Sequence, residues 1–443
     1  MIALSQTTSS RGRLALLPLL VFLSLFLGVG FYYQAQGIDY AFYQLPAPVA
    51  VLPAILLAVW LSRESLNKTI SQFVEGAGNH NIITMCLIYL LAGAFSSVAN
   101  VTGGVNSTVA LGLSVIPTDW LLPGLFLLAA FVATAMGTSM GTLAAMAPIG
   151  LGLAQASGIS LPLMAGVLMS GAIFGDNLSI ISDTTIAATR TQGARMQEKF
   201  IENIRFAAPA AVMTLVLLLL LVNPVSAEVS AAEANPWLAL PYLLILLLAI
   251  SGVNVFVVLV LGILACLAMG VWQGGYAIGD IGKDVYAGFG QMQEIFILSM
   301  LIGGLSELMR RQGGLQFLVN GLTRFAKKLS SHDQASHGFA IAALISVTNL
   351  CVANNTVAII VAGDAAKSLA EHGGVPPKRA ASLLDIFACI IQGLLPYGAQ
   401  ALLLGASFAI SPIDLLPYVY YCFMLAGVAI AVVSWSLFKP AAR

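Results

Sequence analysis

Residues 174–185 read Phe174-Gly175-Asp176-Asn177-Leu178-Ser179-Ile180-Ile181-Ser182-Asp183-Thr184-Thr185, inside an otherwise apolar segment from Leu161 to Ala188. Two carboxylates therefore stand where the pattern reads as bilayer. An Asp at the centre of a membrane helix costs about 2.5–3.5 kcal/mol on insertion scales, so its default meaning is a site or a polar cavity. The surrounding chain is as apolar as this stretch: hydrophobic residues make up 59% and charged residues 9% of 443 positions, against roughly 25% charge in a soluble domain. Apolar runs close to the ~20 residues that cross hydrocarbon as a helix recur along the chain. The ten-residue alternation of a membrane barrel strand is missing. The fold class is all-α and polytopic, a single integral membrane domain over 1–443 with about 11–14 transmembrane segments expected.

Candidate spans cover 14–33, 46–62, 82–99, 120–135, 138–156, 163–189, 206–222, 238–271, 292–309, 338–351, 353–371, 377–404 and 416–437. The stretch 238–271 is one pass, or two parted at Ser251-Gly252-Val253-Asn254. Basic residues gather at Arg11 and Arg13, at Arg63 and Lys68, between Arg190 and Arg205, between Arg310 and Lys328, at Lys378 and Arg379, and at Lys439 and Arg443. The positive-inside rule makes these the cytoplasmic side. The loop with Glu228 and Glu233, and the one around Asp39, carry no Lys or Arg and fall outside. Both termini are then expected in the cytoplasm of a bacterial-type inner membrane.

Shifting the halves by 210 residues lays Leu91-Ala92-Gly93-Ala94-Phe95-Ser96 and Gly103-Gly104 on Leu301-Ile302-Gly303-Gly304-Leu305-Ser306 and Gly313-Gly314. Opened to 214, the shift pairs Thr142 with Thr356, Pro162 with Pro376 and Ser182 with Pro396. In the expected topology the span 82–99 leaves the cytoplasm and 292–309 enters it. Residues 46–222 and 253–437 thus read as two repeats of inverted topology with discontinuous or re-entrant helices, a common transporter architecture.

Several classes fall away. Net charge is zero and no basic tract persists, which argues against nucleic acid. The five cysteines stand singly in apolar segments, so they read as small buried hydrophobes. The phosphate-binding pattern GxxxxGK[ST] is not present, which removes ATP as the drive. The chain reads as no enzyme, and no cofactor beyond coupling ions is expected.

Each half carries a polar turn followed by an interrupted span: Gly137-Thr138-Ser139-Met140-Gly141-Thr142 before Asp176, and Asn349, Asn354-Asn355-Thr356 and Asp364 before Asp385 and Gln392 to Gln400. Broken segments at corresponding places in two halves point to a midplane site. The candidate ion- or substrate-binding residues are Thr138, Ser139, Thr142, Asp176, Asn177, Ser179, Ser182, Asp183, Thr184, Asn354, Asn355, Thr356 and Asp385. Their donors are carboxylate, hydroxyl and amide oxygens, which suit a hard cation such as Na+, or a proton, with Asp176 and Asp183 as the charged Na+ ligands. Seven residues apart, the two acids would lie about 10 Å apart along an unbroken helix. Either the helix unwinds between them, or one binds the ion and the other carries a proton or orients a ligand.

Structural accounts stand beside these. Asp176 would cap a half-helix starting at Asn177 or Leu178, Ser182 to Thr185 would be a polar helix end, and Gly137 to Thr142 a close-packing face. Asn354-Asn355-Thr356 would be a hydrogen-bonding cluster between helices. Glu307 reads as a charge pair with Arg310 and Arg311. His80, His332, His337 and His372 read as loop residues, and Tyr397 either lines the site or packs.

The stretches 137–142 and 174–185 resemble the NhaC sodium/proton antiporter family, whose signatures read close to GTSWGT and FGDHCSPISDTT. Leu384-Asp385 and Leu394-Leu395-Pro396-Tyr397 are similar to that family's acidic residue and Leu-Ile-Pro-Trp element. The chain departs from the pattern at Asn177, Leu178 and Ile180, where the family has His, Cys and Pro, and Asp385 stands alone where the family has an acidic pair. The resemblance implies ion coupling through Asp176, Ser182, Asp183 and Thr184, and leaves the cargo open, because the family spans ion exchangers and carriers of organic acids or amino acids. The expected function is an ion-coupled secondary transporter of the Na+/H+ antiporter type. The alternative is a Na+- or H+-coupled carrier of an amino acid or small organic acid, and a channel is a remote third. Expected partners are Na+, H+, a small organic solute, membrane lipid and a second copy as a homodimer.

Overall fold

The computed structural model describes residues 9–38, 41, 44–115, 120–221, 235–328 and 334–435, and every regular element among them is helical. Glu228 and Glu233, Asp39, His332, Lys439 and Arg443 lie outside the described residues.

In the first half, α1 (Ser9–Leu14) leads into α2 (Leu17–Ala35), and α3 (Ala47–Ala50) adjoins α4 (Leu52–Leu61). Then come α5 (Leu66–Ala77), α6 (His80–Val101), α7 (Gly104–Val115), the hairpin of α8 (Leu121–Met136) and α9 (Ser139–Ser157), the broken helix α10 (Leu161–Leu178) and α11 (Asp183–Gln192), and α12 (Met196–Leu220). The second half repeats the order. It runs through α13 (Leu240–Ile250), α14 (Val255–Trp272), α15 (Ile281–Gln291), α16 (Gln293–Arg311), α17 (Gly314–Lys328), the hairpin of α18 (Gln334–Val352) and α19 (Asn355–His372), the broken helix α20 (Pro377–Leu394) and α21 (Ala399–Phe408), the short α22 (Pro412–Leu415), and α23 (Tyr420–Trp435).

Among the described residues seven helices are long and apolar enough to cross a membrane, or nine if each of two bent pairs is one span. Ala47–Leu61, Leu121–Met136 and Trp237–Ile250 are shorter apolar helices, and they supply further segments of the expected set. The stretch 238–271 is two helices, parted where Gly252 takes φ of 73°. Helices α5, α7, α15 and α17 answer to none of the candidate spans, being only 11–15 residues long, too short for a hydropathy window. Helix α12 starts at Met196, ten residues before the expected 206, and its extra turns carry Lys199 into the interior. His337, expected in a loop, lies buried within α18. Glu307 does pair with Arg310 and Arg311, each at 2.6 Å.

The broken helices correct the repeat register. Their boundaries recur at a spacing of 216 (161 to 377, 178 to 394, 183 to 399), not 214. Asp176 therefore corresponds to Gln392 and Ser182 to Gly398, displacing the pairing of Ser182 with Pro396. The halves also pack reciprocally: α5 lies on α16 and α15 on α6, while α9 meets α21 and α19 meets α11.

Helices in hydrocarbon gain nothing from hydrophobic association with one another, so close approach of backbones holds them together. Gly171 and Gly175 on α10 sit against the carbonyls of Phe126 and Ala130 on α8, leaving no room for a Cβ. Thr134 seals the seam, its hydroxyl donating to the carbonyls of Ala130 (2.8 Å) and Gly175 (3.2 Å). This seam delivers Asp176 to the tip of the α8–α9 hairpin. Gly175→Val is expected to destabilise the fold by about 1–3 kcal/mol through overpacking, read as a lower apparent melting temperature and a smaller folded yield in detergent; an unchanged melting profile would count against the seam.

Candidate functional site

Two tips and two breaks build the site. At the first tip, Gly137 closes α8 with φ of 69° and Thr138 caps α9, its hydroxyl accepting from Gly141 N at 3.3 Å. At the second, Ala353 takes φ of 54° and Asn354 caps α19, accepting from Val357 N at 3.0 Å. The left-handed conformation costs an alanine about 1–2 kcal/mol and a glycine almost nothing. The tips are equivalent in shape but unequal in strain.

The first break has no proline. α10 ends at Leu178, Ser179 and Ser182 are extended, and Ser182 caps α11 by accepting from Thr185 N at 3.2 Å. Thr185 Oγ1 in turn donates to the Ser179 carbonyl at 2.8 Å, which satisfies an acceptor freed by the break. Ile180 thus sits in the break without restoring the helix. The second break does contain Pro396, which cannot continue a helix, and α21 begins after Gly398.

Asp176 and Asp183 consequently occupy opposite electrostatic settings. Asp176 is in the last turn of α10, only 5% exposed, among carbonyls that make a helix C-terminus negative. That end favours a cation. Asp183 is exposed in the first turn of α11, where the positive helix end already offsets its charge. The helix does unwind between the two acids, and Asp176 is not a cap, because α10 continues through Leu178.

A cavity of about 160 Å³ joins these parts. Of the expected site residues it is lined by Thr138, Ser139, Asp176, Asp183, Thr184, Asn354, Asn355 and Thr356, together with Gln400, His80 and Asn81. Ser139 Oγ donates to Asp176 Oδ2 at 2.9 Å and accepts from Gln400 Nε2 at 3.1 Å, and Gln400 Oε1 accepts from Gln392 Nε2 at 3.0 Å. A single hydrogen-bond chain therefore runs from the acid of the first half to its counterpart position in the second.

The other expected residues lie behind this wall. Thr142 bonds back to the Thr138 carbonyl at 3.0 Å. Asn177 donates to Tyr421 Oη at 3.2 Å, while Asn177 Oδ1 and Ser179 Oγ are buried without a partner among the described residues. Tyr397 packs, its hydroxyl on the Leu350 carbonyl at 2.6 Å. Asp385, expected among the ion ligands, is fully buried and bonded instead to Lys199 Nζ at 2.6 Å and Asn203 Nδ2 at 2.8 Å.

Lys199, Asn203 and Tyr421 were absent from the sequence-derived set. The signal for the first two is periodicity: Lys199, Asn203, Phe206, Ala210, Thr214 and Leu218 form one buried face of α12, at the three- and four-residue spacing of a helix stripe. Ala353→Gly is expected to stabilise the protein by about 1–2 kcal/mol, and Gly137→Ala to destabilise it at least as much, since its Cβ would also meet Ile181. Opposite shifts in apparent melting temperature check the pair; shifts of the same sign would contradict the tip geometry.

A model of the Na+/H+ antiporter family matches residues 10–223 and 226–437. The Na(+)/H(+) antiporter NhaC of Bacillus subtilis is 25% identical over 428 residues, covering 88% of this chain and 91% of that protein. The malate-2H(+)/Na(+)-lactate antiporter of the same organism is 22% identical over 425 residues, covering 88% and 89%. The arginine/ornithine antiporter ArcD of Halobacterium salinarum is 20% identical over 435 residues, covering 89% and 88%.

Proposed function

Because the chain belongs to the Na+/H+ antiporter family, matched over 10–223 and 226–437, we propose that it exchanges Na+ for protons across a bacterial plasma membrane at Asp176. One observation carries this reading. Asp176, Lys199, Glu202 and Asp385 are the Asp, Glu, Lys and Arg side chains buried among the described residues, and ion pairs join all of them except Asp176. Lys199 holds Asp385 at 2.6 Å, and Glu202 is held by Arg205 and Arg379 at 2.9 Å each.

A lone buried carboxylate is too costly to stay bare. It is satisfied by a proton or by a cation, and the two compete for the same oxygens. Their competition is exchange. Ser139 Oγ, bonded to Asp176, and the hydroxyl and amide oxygens of Thr138, Thr184, Asn355 and Thr356 on the same cavity wall are oxygen donors of the kind a hard cation takes. Asp183, exposed on the cavity wall, draws cations toward Asp176. Reciprocal packing of the halves supports an inverted repeat, with alternating access achieved by movement of one half against the other.

A second reading is coupled carriage of a small carboxylate or amino acid. It is favoured by the amides of Asn355 and Gln400 on the cavity wall and by the N-termini of α9, α11 and α19, whose positive ends suit an anionic group. The names of the malate–lactate and arginine/ornithine relatives agree with that chemistry.

Proteoliposomes with Na+ and pH gradients imposed separately test both. Sodium-driven proton flux without added solute supports exchange, and flux only on adding a carboxylate or amino acid supports the second reading. Asp176→Asn is expected to bring flux to background in either case. Asp183→Asn is expected to raise the Na+ KM several-fold at nearly unchanged maximal rate, as loss of an exposed steering charge does; equal collapse in both variants would overturn the division of roles.

A further inference from the structure

Lys199 is only 1% exposed, the fourth residue of α12. Replacing a buried ion pair by apolar groups of similar volume is often neutral or stabilising, so stability alone does not account for a lysine here. Its contacts do suggest a task. Lys199 Nζ pairs with Asp385 on α20 and donates to Thr185 Oγ1 at 2.6 Å. That same Thr185 oxygen donates to the Ser179 carbonyl and accepts from Ser182 Oγ at 3.1 Å, so it grips both edges of the break between α10 and α11. One turn further, Asn203 Nδ2 donates to the Asn177 carbonyl at 2.7 Å and to Asp385 Oδ2. Asp176 stands within the segment so fastened, its carbonyl accepting from Ser179 N at 3.2 Å. Neither Lys199 nor Asn203 bonds its carboxylate.

We propose that Lys199 is a positioning residue for the cation site: a permanent internal cation that takes Asp385 out of the exchange and ties the helix break to α20, setting where the Asp176 carboxylate points. This inference rests on the exchange reading above. It assigns the two buried aspartates different fates, with Asp385 committed to an internal ammonium and Asp176 left to the transported cations. A cation site whose carboxylate is aimed by a partner outside its own ligands loses affinity when that partner goes, typically ~10–100-fold.

The test compares full-length wild type, Lys199→Met, Asp385→Asn and the double variant Lys199→Met/Asp385→Asn by ²²Na+ binding, sodium-driven proton flux and thermal unfolding in detergent. Each single variant strands one buried charge and is expected to unfold at lower temperature. The double variant strands none and is expected to recover most of that loss. Its Na+ affinity is expected to stay ~10–100-fold weaker than wild type, with KM raised more than kcat is lowered, because the tie to Thr185 is still missing. Wild-type affinity in the double variant would make Lys199 merely structural and overturn the proposal, as would single and double variants of equal stability. A wild-type protein that binds ²²Na+ but drives no proton flux would defeat the exchange reading instead, with the role of Lys199 still decided by binding.

Discussion

An uncompensated charge inside an apolar interior sets the terms for the whole molecule. Burying an ion costs several kcal/mol even after the protein relaxes around it, and this chain meets that cost in two different ways. Lys199 with Asp385, and Glu202 with Arg379, pair across the α12–α20 contact, and Arg205 adds a contact to Glu202 along α12 itself. The pairing is reciprocal, since α12 contributes a cation and an anion and α20 contributes their opposites. Asp176 has no such partner among the described residues and faces a cavity. The difference between a fastened charge and an open one is what turns a bundle of helices into a carrier.

Placement of the open charge starts from close backbone packing. Two glycines let α10 lie directly on the carbonyls of α8, and the hairpin turn at Gly137 then brings Ser139 within 2.9 Å of Asp176. The break at 179–182 exposes helix ends of both polarities at one depth, so a negative terminus surrounds Asp176 and a positive one surrounds Asp183. Serine caps maintain this break, and proline maintains its counterpart. The same local geometry is thus reached by two chemistries in the two halves. The halves differ in charge at corresponding places, because Gln392 stands where Asp176 does, 216 residues on.

Much of this was legible in the chain. A polytopic helical class followed from apolar runs and sparse charge, and the unwinding near 180 followed from polar residues inside a span. Ser251-Gly252-Val253-Asn254 marked where 238–271 would part if it were two passes, while leaving open whether it does. Half of the cavity wall was among the expected site residues, because hydroxyls, amides and acids are expensive in hydrocarbon unless they do something together. The short helices α5, α7, α15 and α17 escaped, since each is interrupted by polar or charged residues and so leaves no hydropathy signature of a span.

What the sequence by itself determined is the inventory: helical spans, two broken segments, and a set of oxygen donors suited to a hard cation. Composition and periodicity carry that information because each is a property of neighbouring residues. Only the tertiary structure decided which acid stays open. Asp176 and Asp385 look alike along the chain, each an acid in an apolar run, and a lysine counted with a cytoplasmic basic cluster gives no hint that it reaches Asp385 from α12. Pair energies in a low-dielectric interior depend on distances of a few ångströms between residues nearly two hundred positions apart, and no local pattern encodes those distances.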